Sequence, residues 1–258
     1  MLKYIYNGIS FRLAKCIISL RDIYYKQKNR NKAKVFVFTD SRGFEVTKPW
    51  NRRNPYSSYI GNIIRNYSTD YYICPEHSTT IIDFLFQYKQ NLASGKKYDK
   101  VIAHIGIVDF SPRPITMIDE IMKAKRYKYD QLEIPIEKME AYQNIPFDEK
   151  YYDMPTKNIY NIDFFKKYIL DELSKIDNLI IIGCHEVDLN WRGNYWRDRP
   201  SNINIVLDYN AEFVNIGTFI DLSNWNLSEV RRYTVDNVHL NKDGFSYISK
   251  QLTGVLVS

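Results

Sequence analysis

The stretch AKVFVFTDSRGFEVTKPW, residues 33–50, decides the reading of the chain. An apolar run over 35–39 stops abruptly on Asp40-Ser41-Arg42-Gly43. Asp, Ser and Gly are turn residues, so one reading is a surface turn. The other is a nucleophile held where a buried strand hands over to a helix. The stretch alone does not separate the two; partners elsewhere in the chain must.

Four further short apolar runs, at 71–74, 100–106, 179–184 and 215–222, read as strands. Most are continuous rather than alternating, as expected for a parallel sheet covered on both faces. Helical patterns fall between them, at 56–66, 79–90, 158–176 and 243–256. In 158–176, Ile162, Phe165, Ile169, Leu173 and Ile176 form one stripe; Phe245, Ile248, Leu252 and Val255 do the same in the last helix. This alternation predicts an α/β open sheet with right-handed crossovers. Residues 111–157 break the rhythm with five prolines, many charges and a short helical patch near 116–128. They read as an insertion over one end of the sheet rather than a separate domain. The expected organisation is therefore an N-terminal helix over 1–30 and one domain over 33–257.

The chain has 258 residues, 45% hydrophobic and 26% charged, which reads as an ordinary soluble globular protein with a substantial core. Three cysteines stand far apart without metal-type spacing, which favours a reduced, cytoplasmic setting over a disulfide scaffold. The net charge of +6 suits an anionic partner only weakly, and no nucleic-acid module accompanies it. No apolar run reaches 18 residues, so no spanning helix is expected. At the N-terminus Leu2, Ile5, Ile9, Leu13, Ile17 and Leu20 recur at helical spacing among basic residues. A helix packing on the domain or on a partner is the first reading; a peripheral contact of residues 1–28 with a membrane surface is the second.

In an open α/β sheet, ligands gather at the carboxyl ends of the strands. The most informative segment there is YTVDNVHLNKDGF, just before the final helix. Asp236 and His239 lie three apart in a turn, so the carboxylate can accept the Nδ1 proton of the imidazole and leave Nε2 free as a base. A serine hydroxyl needs such a base, and Ser41 projects from the same sheet end. FTDSRG and DNVHLNKDGF resemble the first and last blocks of the SGNH (GDSL-type) hydrolases, and the resemblance covers most of residues 33–256. It implies a flavodoxin-like three-layer sandwich with a five-stranded parallel sheet. It also implies Ser41 as nucleophile with Asp236 and His239, and no cofactor or metal. GIVDFSPRP further resembles a variant third block of SGNH-like proteins from bacterial surface-polysaccharide clusters. From that comes the implied substrate, an O-acylated carbohydrate or other acylated small molecule, with ester hydrolysis or acyl transfer as the reaction.

The middle blocks depart from the family pattern. The family places a glycine after the second strand and an asparagine in the third block, and both help form the oxyanion hole. Here the second-strand turn reads EHSTT, and Val108 stands where the asparagine would be. Losing one oxyanion donor costs on the order of 100- to 1,000-fold in rate. Three accounts remain open: a backbone N–H near Ser78 or Thr79, the guanidinium of Arg113, or a weak or inactive site that binds glycan or a biosynthetic partner. Asp109 and Arg113 are grouped with Ser78 as oxyanion or substrate-binding candidates, although Arg113 could simply pair with Asp109. Asp40 reads as a helix cap that also braces the site. His104 reads as a core histidine, and His77 and His185 as strand-end histidines more often structural than functional. His185, Glu186 and Asp188 lack a partner cluster for a metal. Trp191, Trp196 and Arg199 form either a lid for sugar rings and anionic groups or core filling.

Overall fold

The computed structural model describes residues 2–48, 52–142, 145–194 and 198–256, with the backbone alone over 2–10. In chain order, the first elements are α1 (Leu2–Lys28), β1 (Lys34–Thr39), α2 (Ile60–Asn66), β2 (Ser68–Ile73), α3 (Ile81–Ala93) and β3 (Lys100–His104). Then come the one-turn α4 (Ile107–Phe110), β4 (Arg113–Pro114), α5 (Ile115–Leu132), β5 (Phe147–Tyr151), β6 (Met154–Lys157), α6 (Ile162–Phe164) and α7 (Asp171–Ser174). The chain closes with β7 (Leu179–Ile182), α8 (Val206–Ala211), β8 (Thr218–Ile220), α9 (Leu227–Tyr233) and α10 (Lys242–Leu256).

The main sheet has five strands in the order β2-β1-β3-β7-β8, all parallel. Strand β1 explains why the layers form. Its side chains alternate between faces: Phe36 and Phe38 join the core beneath α3 and α5, whereas Val35 and Val37 join the core beneath α2 and α10. Both faces are thus dry, which is why the strands read as continuous apolar runs. The strand order reverses between β1 and β3, the crevice where open α/β sheets bind ligands. Ser41 follows β1 directly at that point.

Several elements differ from the sequence expectation. The edge strand β2 starts at Ser68 rather than 71, because its first half is polar and half-exposed and so lacks an apolar signature. It ends at Ile73, since Cys74 turns into the left-handed region with φ 42°. The run at 215–222 yields only Thr218–Ile220: Glu212–Asn215 winds into a 3₁₀ turn, and Gly217 at φ 58° makes a kink where a Cβ would lie 2.3 Å from the Leu179 carbonyl oxygen. The helix over 158–176 is interrupted by a π turn, Phe165–Leu170, between α6 and α7. Phe165, Ile169 and Leu173 are nevertheless fully buried, as their spacing required.

The stretch 111–157 is more regular than its composition suggested. It holds the 18-residue α5 and a three-stranded sheet in the order β4-β6-β5. Helix α5 is tied to α3 by charge: Lys125 Nζ and Lys128 Nζ reach Asp83 at 2.5 and 2.6 Å, and both also meet Glu76. Two lysines with side chains only 2–3% exposed are tolerable because each finds a carboxylate. Helix α1 packs on the domain over only part of its length. Leu13, Ile17 and Leu20 are 59%, 56% and 68% exposed, so this part of the apolar stripe packs on nothing described. The helix is held by its C-terminal turns instead. Tyr56 and Tyr71 donate to the two Asp22 oxygens at 2.7 and 2.6 Å, Arg21 stacks over the Tyr56 ring, and Asn29 donates to Ile64 O at 2.8 Å. No described helix is long and apolar enough to cross a membrane.

Candidate active site

Ser41 opens a 3₁₀ turn, Ser41–Gly43, with Asp40 as its N-cap. The Asp40 carboxylate accepts the Arg42 N–H at 2.9 Å, and Asp40 O accepts the Gly43 N–H at 3.2 Å. Gly43 is required by close approach, since a Cβ there would fall 2.0 Å from Thr39 Oγ1. The sharp turn lifts the Ser41 hydroxyl out of the sheet end.

The imidazole comes from the segment before α10. Asp236 folds back on its own turn: its Oδ1 accepts the N–H of Val238 at 3.1 Å and of His239 at 2.8 Å, and its Oδ2 meets His239 Nδ1 at 2.7 Å. Asn237 makes the fold-back possible by adopting φ 72°, and its side chain locks the turn to Asp188 through two hydrogen bonds of 2.7 and 3.1 Å. His239 Nε2 then lies 2.9 Å from Ser41 Oγ, across 198 residues of sequence. Burial pushes the Asp236 carboxyl up, but the hydrogen bond and charge of His239, its backbone N–H and the Arg199 guanidinium outweigh it and hold the group at about 2. A carboxylate this firmly ionised fixes the Nδ1–H tautomer and leaves Nε2 as acceptor for the serine proton.

The serine and histidine open onto a cleft of about 560 Å³, a size suited to a small ligand. Ser78 and Arg113 also line it, as do Asp40, His77 and Arg199. Ser78 sits in the turn after β2 with φ 52°, the backbone region that glycine enters at least cost, so this turn keeps a glycine-like shape without a glycine. The N–H groups just beyond it are consumed: Thr80 donates to Asp83 Oδ2 at 2.8 Å and Ile81 to Asp109 at 3.1 Å. Val108 lines the cleft and supplies no side-chain donor. Arg113 Nε donates to Val108 O at 3.1 Å, which anchors that guanidinium at the cleft wall.

Asp109 is a correction. Expected among the oxyanion or substrate-binding residues, it is fully buried and takes no part in the cleft lining. After Gly106 the chain winds into α4, which exposes Val108 to the cleft and turns the next side chain inward to accept the Ile81 N–H at the start of α3. Burial raises its carboxyl to about 7, against the opposing Ile81 hydrogen bond and with help from Asp83. A raised acid binds its proton more tightly in the folded state, so this contribution to stability is full below pH about 4 and is lost as pH rises through 7. The Asp109→Asn protein should therefore gain on wild type across that interval, by on the order of 1 to 3 kcal/mol at pH 8. Urea midpoints at pH 5 and pH 8 check this; an equal difference at both pH values would refute it.

Arg42 is the functional-site residue that the sequence did not reveal. It is 1% exposed and lies beneath Ser41, with Nη2 donating to Asp40 Oδ2 at 2.8 Å and Ile105 O at 2.8 Å, and Nη1 to Gly183 O at 3.1 Å. His104 is a core histidine, with Nδ1 2.9 Å from the Tyr59 hydroxyl; burial, then the charges of Arg42 and His185, push its pKa well below the ordinary value. His185 is also buried and stacks on Trp225, with burial lowering it to about 4. It sits 3.4 Å from Val238 O and so backs the histidine turn rather than facing ligand. His77 does line the cleft. Asp188, suggested with His185 and Glu186, is engaged by Arg231 instead, and among the described residues no group of side chains has the arrangement of a metal site. Of the suggested lid, Arg199 lines the cleft, Trp191 does not, and Trp196 lies outside the described residues.

The sequence matches no family model and no curated protein. Among solved structures the chain is similar to the crystal structure of an acetyl xylan esterase, with TM-score 0.48 and 14% identity over 86% of this chain and 98% of that one. It is also similar to the lipase/acylhydrolase from Enterococcus faecalis, with TM-score 0.46 and 13% identity over 85% of this chain and 93% of that one.

Proposed function

We propose that the protein is a serine-dependent esterase or acyltransferase acting on O-acyl groups of a carbohydrate. The observation that carries this reading is the unbroken chain from Ser41 Oγ through His239 to Asp236, at 2.9 and 2.7 Å. These are productive general-base distances. His239 Nε2 takes the hydroxyl proton as Ser41 Oγ bonds to the acyl carbon. The imidazolium then returns that proton to the departing sugar oxygen as the ester C–O bond breaks. Water, or a second sugar hydroxyl, attacks the acyl-enzyme by the same proton route and releases Ser41.

The oxyanion needs donors, and the pattern of consumed N–H groups indicates which remain. The Arg42 and Gly43 N–H groups are spent on Asp40, and those of Thr80 and Ile81 on Asp83 and Asp109. The N–H groups of Ser41 and of the Ser78–Thr79 turn are the backbone donors assigned here. For the carbohydrate, support comes from the tip of the β5–β6 hairpin. Tyr151 and Tyr152 line the cleft with ring centroids 4.2 Å apart, an aromatic wall with polar ends that suits a sugar face.

A fluorophosphonate probe followed by peptide mass spectrometry tests the mechanism. A single adduct on Ser41 is expected, absent from the Ser41→Ala protein and accompanied by loss of p-nitrophenyl acetate hydrolysis on labelling. An unlabelled Ser41 would make the protein a binding scaffold, the reading that Val108 in the cleft favours.

A further inference from the structure

The charge of the cleft points to more than an acylated sugar. Four cations line it: Arg52, Arg53, Arg113 and Arg199. One of them, Arg199, is paired with an acid, Asp236, at 3.3 Å; the acids of the cleft lining are held by other cations. Asp40 is bound to Arg42 at 2.8 Å, and Glu76 is held by Lys125 at 3.2 Å and by Lys128. Asp236 lies behind the imidazole and is fully buried. Asp40 and Glu76 are therefore neutralised within the protein wall and Asp236 takes up Arg199, while Arg52, Arg53 and Arg113 add positive charge along the cleft.

The residue type matters as much as the sign. The chain contains 14 arginines and 22 lysines, counted along the sequence. All four fixed cations of the cleft are nonetheless arginine. Arginine's planar fork grips carboxylate or phosphate oxygens in pairs, which lysine cannot do. Their depths also differ. Arg113, anchored on Val108 O, and Arg199, 3.3 Å from Asp236 Oδ2, are half-buried beside the reacting groups. Arg52 and Arg53 are exposed at the rim, where Arg53 is held at φ 61°, an uncommon backbone for arginine. A cleft with one sign of charge concentrates ligands of the other.

Resting on the proposed esterase reading, we infer that the substrate is anionic: an O-acyl ester whose sugar or polyol carries a carboxylate or phosphate near the acyl group. A neutral acylated hexoside would offer Arg52 and Arg53 no anion. The anion is held by Arg52 and Arg53 at the rim, so that Arg113 and Arg199 flank the ester beside Ser41.

The test compares kcat/KM for mono-O-acetyl methyl hexuronoside with the matching neutral hexoside, and for O-acetylglycerol phosphate with O-acetylglycerol. The wild type should prefer at least one anionic member by about tenfold or more. The pair that shows the preference tells carboxylate from phosphate. The preference should shrink in the Arg52→Gln/Arg53→Gln protein and with rising salt. Equal turnover within both pairs would overturn the anionic assignment while leaving the serine mechanism intact. If no substrate turns over, binding decides. Calorimetric titration of Ser41→Ala with a tetragalacturonate and with its neutral galactose counterpart should show tighter, salt-sensitive binding of the acidic sugar. The same comparison between polyglycerol phosphate and polyglycerol covers the phosphate source. No preference in either comparison would overturn the inference.

Discussion

On the mechanism proposed above, the Asp236→Asn protein should hydrolyse p-nitrophenyl acetate about 10,000-fold more slowly than wild type, by analogy with the same change in Ser-His-Asp enzymes. The geometry gives the reason. Asn Oδ1 can still accept the N–H groups of Val238 and His239, so the turn keeps its shape. The amide nitrogen, however, replaces the oxygen that meets His239 Nδ1 at 2.7 Å. Two donors cannot face each other, so the imidazole carries its proton on Nε2 instead. That nitrogen then donates toward Ser41 Oγ, 2.9 Å away, and cannot take the serine proton. Labelling of Ser41 by a fluorophosphonate should slow in parallel, which a mere change in substrate affinity would not produce. Stability supplies an independent readout. The Asp236 carboxyl sits at about 2 in the folded protein, below its ordinary value of 3.8. Its contribution is therefore present above pH 3.8 and lost as pH falls toward 2. The stability deficit of the Asn variant should shrink over that interval. A variant within tenfold of wild-type activity would mean that Asp236 does not set the tautomer.

What could be read in the sequence follows from how far each signal reaches. Local patterns were legible. The continuous apolar run ending on Asp40-Ser41 announced a buried strand with a polar end, and the three-residue spacing of Asp236 and His239 announced a carboxylate folding back on its own imidazole. Both depend on neighbours in the chain. Arg42 was not legible, because its partners Ile105 O and Gly183 O lie 63 and 141 residues away and an arginine in a turn ordinarily faces water. The Lys125 and Lys128 contacts to Asp83 were hidden for the same reason, so the helix carrying them looked short and charged. Asp109 was misplaced because one helical turn after Gly106 separates inward from outward side chains. The stripe on α1 shows the converse: helical spacing gives a helix, but does not say that its apolar face finds a partner.

Arg42→Met should cost about 3 to 5 kcal/mol of stability, the range for removing one partner of a buried ion pair. Arg42 and Asp40 both have side chains 1% exposed. Asp40 receives three of its contacts from this guanidinium, at 2.8, 3.1 and 3.2 Å. Without it a carboxylate that is 1% exposed keeps only the backbone N–H of residue 42 as its turn donor. The carbonyls of Ile105 and Gly183, just past β3 and β7, lose their guanidinium contacts as well. Those contacts join the ends of three neighbouring strands beneath Ser41, so the loss reaches the site: displacing the hydroxyl by about 1 Å from His239 costs on the order of 100-fold in rate. Burial alone would lower the guanidinium pKa, but Asp40 and Cys184 outweigh it and raise it above its ordinary value, so the guanidinium stays charged throughout the working pH range. The Asp40→Asn/Arg42→Met double variant should recover part of the stability, since no unpaired charge then remains buried. Urea unfolding of the two single variants and the double variant measures the coupling. A loss below about 1 kcal/mol for Arg42→Met, or no recovery in the double variant, would show that the turn holds its serine without the arginine.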